Sequence, residues 1–179
     1  GGDHVISNNS KVNIDKKFYE FMGSEYAMAV CRIEPENNIH LILEAFSEIS
    51  NLKLVIIGNW RNSNYGKELY DKYKARNNIY LLDPIYEQTT LNSIRRNAKI
   101  YIHGHSAGGT NPSLVEAMNL GLPVFAFDCI YNRETTENKA KYWRNSEDLK
   151  KLLVNNDCNE LKLIAENMKL IADKRYKWE

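Results

Sequence analysis

The sequence predicts an α/β fold: a doubly wound parallel sheet with helices on both faces, three layers in all. Three observations predict it. Five short apolar runs recur along the 179 residues, helical patterns separate them, and the runs are almost continuously apolar. Strands buried on both faces read that way, and strands alternating with helices join into a parallel sheet through right-handed crossovers.

The elements follow in order. YAMAVCRI (26–33) is the first strand. Ile39, Ile42, Leu43, Phe46 and Ile49 repeat at helical spacing and form the first helix. LKLVIIG (52–58) is the second strand, and Leu69, Tyr70 and Tyr73 mark the second helix. IYLLD (79–83) is the third strand, followed by a helix carrying Leu91, Ile94 and Ala98. KIYIHG (99–104) is the fourth strand, followed by a helix carrying Leu114, Val115 and Met118. LPVFAFD (122–128) is the fifth. In the tail, Leu149, Leu152 and Leu153 belong to one helix, and Leu161, Ile164, Ala165, Met168 and Ile171 to another, both read as packed on the sheet. The expected architecture is Rossmann-like, with five or six strands. Residues 1–24 read as a linker and lead-in segment, and 25–179 as the domain.

Composition narrows the classes. Apolar residues make up 43% and charged residues 26%, as in ordinary globular proteins. The net charge is +1 and the basic residues are scattered, so no nucleic-acid surface is expected. No apolar run approaches the roughly 20 residues of a membrane span. The opening GGDHVISNNSK lacks the pattern of a secretory signal, and its Gly-Gly reads as a cut from a longer protein. Three distant cysteines, Cys31, Cys129 and Cys158, form neither a disulfide framework nor a metal knuckle. Cys31 is expected to fill core space, and a reducing, cytoplasmic setting fits best.

Ligands of open parallel sheets bind beyond the carboxyl ends of the strands. That rule selects loops 32–38, 58–66, 83–87 and 103–112. The last contains HSAGGTNPSLVEAM. Pro112 suits the first position of a helix, with Asn111 as its N-cap; Ser113 and Glu116 also have capping-box spacing. The helix dipole and free N–H groups facing the Gly108-Gly109 turn would make an anion site. A well-capped helix after a flexible turn explains the same residues. Arg32 ends the first strand and can fork a phosphate; a surface ion pair with Glu34 or Glu36 is the alternative. Arg61 is a second cation near the crevice, and Trp60 is either a stacking surface or part of an ordinary loop. His103 and His105 share a strand face, but no further ligands are suitably spaced, so no metal site is expected. The bland readings are a core histidine at 103 and a loop histidine at 105. GxGxxG and hydrolase triads are absent, which disfavours a nicotinamide enzyme.

Taken together, Arg32 through "LILEAF" to Phe46, then "IIG" at 56–58, then "EAM" at 116–118 with "G.PV" at 121–124, resemble the nucleotide-binding half of the GT-B glycosyltransferases of the "glycosyl transferases group 1" family. The resemblance runs from about Tyr26 to Leu153. "RIEPENN" and "HSAGGTNPSLVEAM" look more like a subset of bacterial polysaccharide enzymes, rhamnosyltransferase-like members among them.

The resemblance implies the C-terminal half of a GT-B fold, with an acceptor half elsewhere. Gly1-Gly2-Asp3 resembles the remnant of the interdomain linker, and Trp178-Glu179 the start of a last helix. It implies that Arg32 stabilises the donor's diphosphate. The family's partner Lys falls on Asn37, and the first of its paired glutamates on Gly108, so both are missing. Arg61 or His105 is expected to supply the lost charge. Glu116 matches the glutamate that holds the ribose. Gly108, Gly109, Thr110, Asn111 and Ser113 are the expected phosphate cradle, and main chain at 83–86 is placed to read the base. The implied activity is a retaining, metal-independent transfer of sugar from a nucleoside diphosphate, UDP or dTDP, with no cofactor. The acceptor is a glycan or lipid-linked molecule in cell-surface polysaccharide synthesis, with the whole protein at the inner face of the plasma membrane. Two alternatives stay open: a sugar-nucleotide epimerase of the same fold, whose acid/base residues should crowd the crevice, and a non-catalytic nucleotide-sugar-binding module.

Overall fold

A computed structural model of the chain describes residues 19–177. The expected linker remnant at Gly1-Gly2-Asp3 and the expected start of a last helix at Trp178-Glu179 lie outside the described residues. Among the described residues, six parallel strands form one sheet: β1 (Tyr26–Val30), β2 (Lys53–Ile57), β3 (Ile79–Leu82), β4 (Ile100–His103), β5 (Val124–Phe127) and β6 (Lys141–Trp143). Their order is β3-β2-β1-β4-β5-β6. The chain therefore winds outward from β1 in one direction, then returns and winds outward from β4 in the other. β1 is in register with β2 from Tyr26 opposite Lys53 to Val30 opposite Ile57, and with β4 at Ala27 opposite Ile100. The switch of direction lies between β1 and β4, where doubly wound sheets open a crevice.

Seven α-helices lie among the described residues: α1 (Ile39–Ser47), α2 (Asn64–Tyr73), α3 (Gln88–Asn97), α4 (Pro112–Asn119), α5 (Ile130–Thr135), α6 (Ser146–Val154) and α7 (Cys158–Arg175). Right-handed crossovers in opposite directions place α1 and α4 on opposite faces of the sheet. α1 packs with α6, and α4 with α7. The predicted apolar positions are the buried ones: Ile39, Ile42, Leu43 and Phe46 of α1, Leu114 and Met118 of α4, Met168 and Ile171 of α7 are all within the core. Local chemistry sets the ends. Asn145 and Asp157 cap α6 and α7 through their side chains, and Gly121, at φ +66°, turns the chain out of α4.

Three details differ from the expectation. The first strand stops at Val30, so Cys31, Arg32 and Ile33 belong to the loop beyond it. Cys31 packs against the core as expected but is only half-buried, at the wall of the crevice, and burial, with Glu34 adding, pushes its thiol up to about 12. Residues 19–23 of the lead-in segment pack on the domain: Phe21 is buried and meets Tyr26 and Tyr80 edge-on. Finally, the sixth strand is Lys-Tyr-Trp, with Trp143 buried and its Nε1 donating to Phe125 O at 3.1 Å.

Candidate functional site

Two cavities open side by side at the carboxyl ends of the central strands. The larger, about 430 Å³, lies over β1, β2 and β3 and is lined by Gly58, Asn59, Pro84, Ile85 and Leu91 among others. The smaller, about 270 Å³, lies between β1 and β4 and is lined by Asn37, Tyr101, His103, His105 and Asn111 among others. Val30, Cys31, Arg32 and Ser113 line both. The two are lobes of one crevice, and Arg32 stands where they meet.

The smaller lobe is built by a seam between two loops far apart in sequence. Asn38 Nδ2 donates to Gly104 O at 2.8 Å. Ser106 donates twice to Glu36 O, from its N–H and its Oγ, both at 2.9 Å. Between these, Asn37 is buried and uses both ends of its amide. Its Nδ2 donates to Arg32 O at 2.6 Å, and its Oδ1 accepts from His105 Nδ1 at 2.7 Å. Asn37 thus ties the loop beyond β1 to His105 at the wall of the crevice. The His105 carbonyl accepts from Asn132 Nδ2 at 2.8 Å, which ties α5 to the same loop. Such close approach demands Gly104, because a Cβ there would lie 2.0 Å from Asn37 O. Gly58 is similarly constrained, with Cys31 O at 2.5 Å from a Cβ.

Arg32 is an exposed side chain, and its Nη1 lies 3.7 Å from Glu34 Oε1. The ion pair expected with Glu34 is therefore present. At that length and exposure it is a weak tether, and the guanidinium remains available to the crevice. The Glu36 carboxyl is held below the usual range by hydrogen bonds, first from its own backbone and then with Glu34, with Arg32 and His105 adding.

At α4, Asn111 is the N-cap, and its Oδ1 accepts from Ser113 N at 2.9 Å, with Pro112 in the first turn. The capping box read between Ser113 and Glu116 is not the one used. The first turn also offers fewer donors than expected, since Ser113 N–H goes to the cap and Leu114 N–H to Asn111 O. The turn before it is more open. Gly108, Gly109 and Thr110 are exposed, Gly109 has φ +85°, and a Cβ on Gly109 would meet nothing within 4 Å.

Arg32, Asn37, His105, Asn111 and Ser113 therefore converge on one crevice. Arg61 is exposed and lines neither lobe. Trp60 is no stacking surface: it is 1% exposed, with Nε1 donating to Leu82 O at 3.1 Å. Glu116 pairs with Arg95 of α3, a side chain only 3% exposed, which also donates to Asn92 Oδ1. Sequence reasoning missed Arg95 and Gly104 and treated His103 as core filler. His103 is indeed buried, but it lines the smaller lobe, and its Nε2 has no partner among the described residues. Burial, with the charge of His105 adding, pushes its imidazole down to about 3.

The comparisons bear on the family and the fold. The family model described as Glycosyl transferases group 1 matches residues 10–174. Protein CapJ of Staphylococcus aureus is 26% identical over 166 residues, covering 91% of this chain and 39% of that protein. An uncharacterized glycosyltransferase of Methanocaldococcus jannaschii is 24% identical over 170 residues, covering 86% of this chain and 41% of that one. The chain spans about two fifths of the length of these curated relatives. Among solved structures, the C-terminal domain of the group 1 family protein LpcC from Francisella tularensis matches with a TM-score of 0.71 at 18% identity, covering 94% of this chain and 95% of that one. Anabaena HepE, solved in complex with UDP and glucose, matches with a TM-score of 0.74 at 18% identity, covering 90% of this chain and 47% of that one. The likeness to these structures is one of fold, the C-terminal half of GT-B. With the family pattern matched over nearly its whole length, on a sheet and crevice of the expected form, the chain belongs to the glycosyl transferases group 1 family.

Proposed function

We propose that this domain binds a nucleoside-diphosphate sugar, UDP- or dTDP-linked, and supplies the donor site of a retaining, metal-independent glycosyltransferase. The single observation that carries the reading is the position of Arg32, at the carboxyl end of β1 where the two lobes meet. The larger lobe takes the nucleoside against Pro84, Ile85 and Leu91, and the diphosphate lies at Arg32. HepE, in complex with UDP and glucose, supports the ligand class.

The chemical demand is departure of the diphosphate while the sugar becomes oxocarbenium-like. Negative charge grows on the leaving phosphate. Arg32 and the dipole of α4, fixed before the reaction, stabilise that charge, which is the economical form of electrostatic catalysis. His105 stands where the family's lysine charge would act, steadied by Asn37. Gly108 and Gly109 let main-chain N–H groups approach the phosphate. Reaction needs a hydroxyl acceptor, a glycan or lipid-linked molecule of cell-surface polysaccharide synthesis, brought by an acceptor domain. The setting is cytoplasmic, at the inner face of the plasma membrane. No described helix is long and apolar enough to cross a membrane.

Titration calorimetry of the chain with UDP and dTDP tests the donor reading. Binding of one nucleotide, weakened by Arg32→Ala, is the expected result; absence of binding to either ends it. A second reading, a nucleotide-sugar-binding module without transfer, is favoured by Asn37 and Gly108 in place of Lys and Glu. Transfer of labelled sugar by the full-length protein discards that reading, and binding without transfer discards the first.

A further inference from the structure

We propose that His105 grips the donor's diphosphate only after its Nε2 has taken up a proton, so that donor binding is coupled to protonation of this one ring. The inference concerns regulation of the proposed donor site and rests on the nucleotide-sugar reading. Two hydrogen bonds decide where the proton goes. The Arg32 carbonyl can only accept, so the end of the Asn37 amide that meets it at 2.6 Å is the Nδ2 donor. The other end, Oδ1, can only accept as well, so His105 Nδ1 at 2.7 Å carries a hydrogen. A single tautomer of the neutral ring satisfies this, and in it Nε2 holds a bare lone pair.

His105 is half-buried and lines the smaller lobe together with Arg32. Its Nε2 has no partner among the described residues and is not closed off from water. A lone pair turned to a phosphate oxygen sets acceptor against acceptor. Once protonated, the same atom is a charged donor, while Nδ1 keeps its bond to Asn37. Imidazole is the side chain that makes this change within the biological range of pH, whereas a lysine there would stay charged throughout. The groups around the ring leave the change to the ring and its ligand. From the loop beyond β1, Arg32 opposes a second cation and is itself paired with Glu34, while Glu36, whose carboxyl is held low first by hydrogen bonding, favours one. From β4, His103, with its ring centroid 6.2 Å away, is pushed down to about 3 by burial and stays neutral. Cys129 and Asn132 meet the His105 carbonyl, and Asn111 and Ser113 of the same lobe are uncharged. A diphosphate beside the ring raises its affinity for a proton, and by reciprocity the proton raises affinity for the diphosphate.

The test uses UDP-glucose, dTDP-glucose and dTDP-rhamnose, and follows the tightest binder. Their diphosphates are esterified at both ends and keep a constant charge, whereas the terminal phosphate of a free nucleotide titrates near pH 6, as phosphate monoesters do. Calorimetry from about pH 6 to pH 8.5 gives the affinity and stays above the range in which Glu36 and His103 titrate. Repeating it in buffers of different ionisation enthalpy counts the protons taken up. For wild type, affinity should fall about tenfold as pH rises across the window, the worth of a charge-assisted contact, with net proton uptake on binding. His105→Gln should bind at the weak, high-pH level throughout, and His105→Lys at the strong level throughout, both without proton uptake. Melting temperatures without ligand control for folding, and either variant suffices if the other does not fold, since both must erase the slope. Wild-type affinity that ignores pH, binding without proton uptake, or a slope that survives in either variant overturns the coupling and leaves the donor site standing. A wild-type chain that binds none of the three nucleotide sugars at any pH overturns the donor reading itself.

Discussion

Gly104 and Asn37 touch backbone against backbone, so closely that a methyl group on Gly104 would sit 2.0 Å from the Asn37 carbonyl oxygen. No side-chain rotation relieves that overlap, because the obstacle is main chain. Gly104→Ala should therefore part the two loops, at a cost of about 1–3 kcal/mol. Loss of nucleotide affinity should accompany the loss of stability, since His105 and Asn37 separate together. Chemical denaturation and calorimetry on the same variant check this, and an unaltered midpoint would show that the seam yields freely.

Arg32→Ala should leave folding untouched, because the side chain is exposed and its contact with Glu34 is long. Binding of UDP or dTDP should weaken roughly tenfold to a hundredfold, the worth of a charge-assisted contact. Calorimetry gives the affinity. If it does not move, Arg32 is a surface ion-pair residue and the phosphate lies elsewhere.

Gly109→Val combines two effects at a left-handed position with open space around it. A β-branched residue is strained at φ +85°, so a modest fall in melting temperature is expected. The larger effect should be on the ligand, with the rise in melting temperature given by excess UDP or dTDP abolished. A ligand that binds only the folded state must produce such a rise. A full ligand shift in the variant would leave the turn as nothing more than the entry to a capped helix.

Glu116 is committed to Arg95, whose guanidinium is buried. Glu116→Ala should strand that charge and cost about 3 kcal/mol of stability, as removal of one member of a buried pair does. A normal denaturation midpoint with lost nucleotide affinity would instead mean that Glu116 serves the ribose alone.

The neutrality of His103 has a pH signature. The unfolded imidazole takes up its proton near pH 6.5, the folded one only near 3. The unfolded chain thus binds the extra proton between these values, and stability must fall as pH falls through that window. Asp128, whose carboxyl is held low first by its hydrogen bonds with Arg133 and then by Arg144, adds loss of the same sign in acid. Melting temperatures from pH 7.5 to 4.5 should therefore drop more steeply for wild type than for His103→Gln. Equal slopes would indicate a histidine that reaches water.

The fold was legible because periodicity reports burial. Ile39, Ile42, Leu43 and Phe46 announce a helix face, and LKLVIIG a strand covered on both sides. β6 escaped that signal because three residues, Lys141, Tyr142 and Trp143, are too few to show a period. Most of the crevice was legible through the rule that ligands lie beyond strand ends, which selected the loops that carry Arg32, Asn37, His105 and Asn111. What stayed hidden was pairing across long stretches of chain. Arg95 sits at a position that a helical pattern assigns to neither face by charge, and its partner is 21 residues away. Trp60 looked accessible because its neighbours are polar, yet the carbonyl of Leu82 takes its indole N–H. Gly104 reads as an ordinary glycine until the loop opposite it is placed.

The pairing of β1 with β4 also sets an order of events during folding. Ala27 meets Ile100 across a loop of about 73 residues. Closing so long a loop is slow relative to local contacts. The β1–β3 portion can assemble with its larger lobe incomplete and its smaller lobe absent, since Asn37 has no His105 to hold until β4 docks. The nucleotide-sugar binding proposed above should therefore be acquired late. In a refolding experiment it should lag the recovery of helical signal, making the ligand a clock for the last docking step.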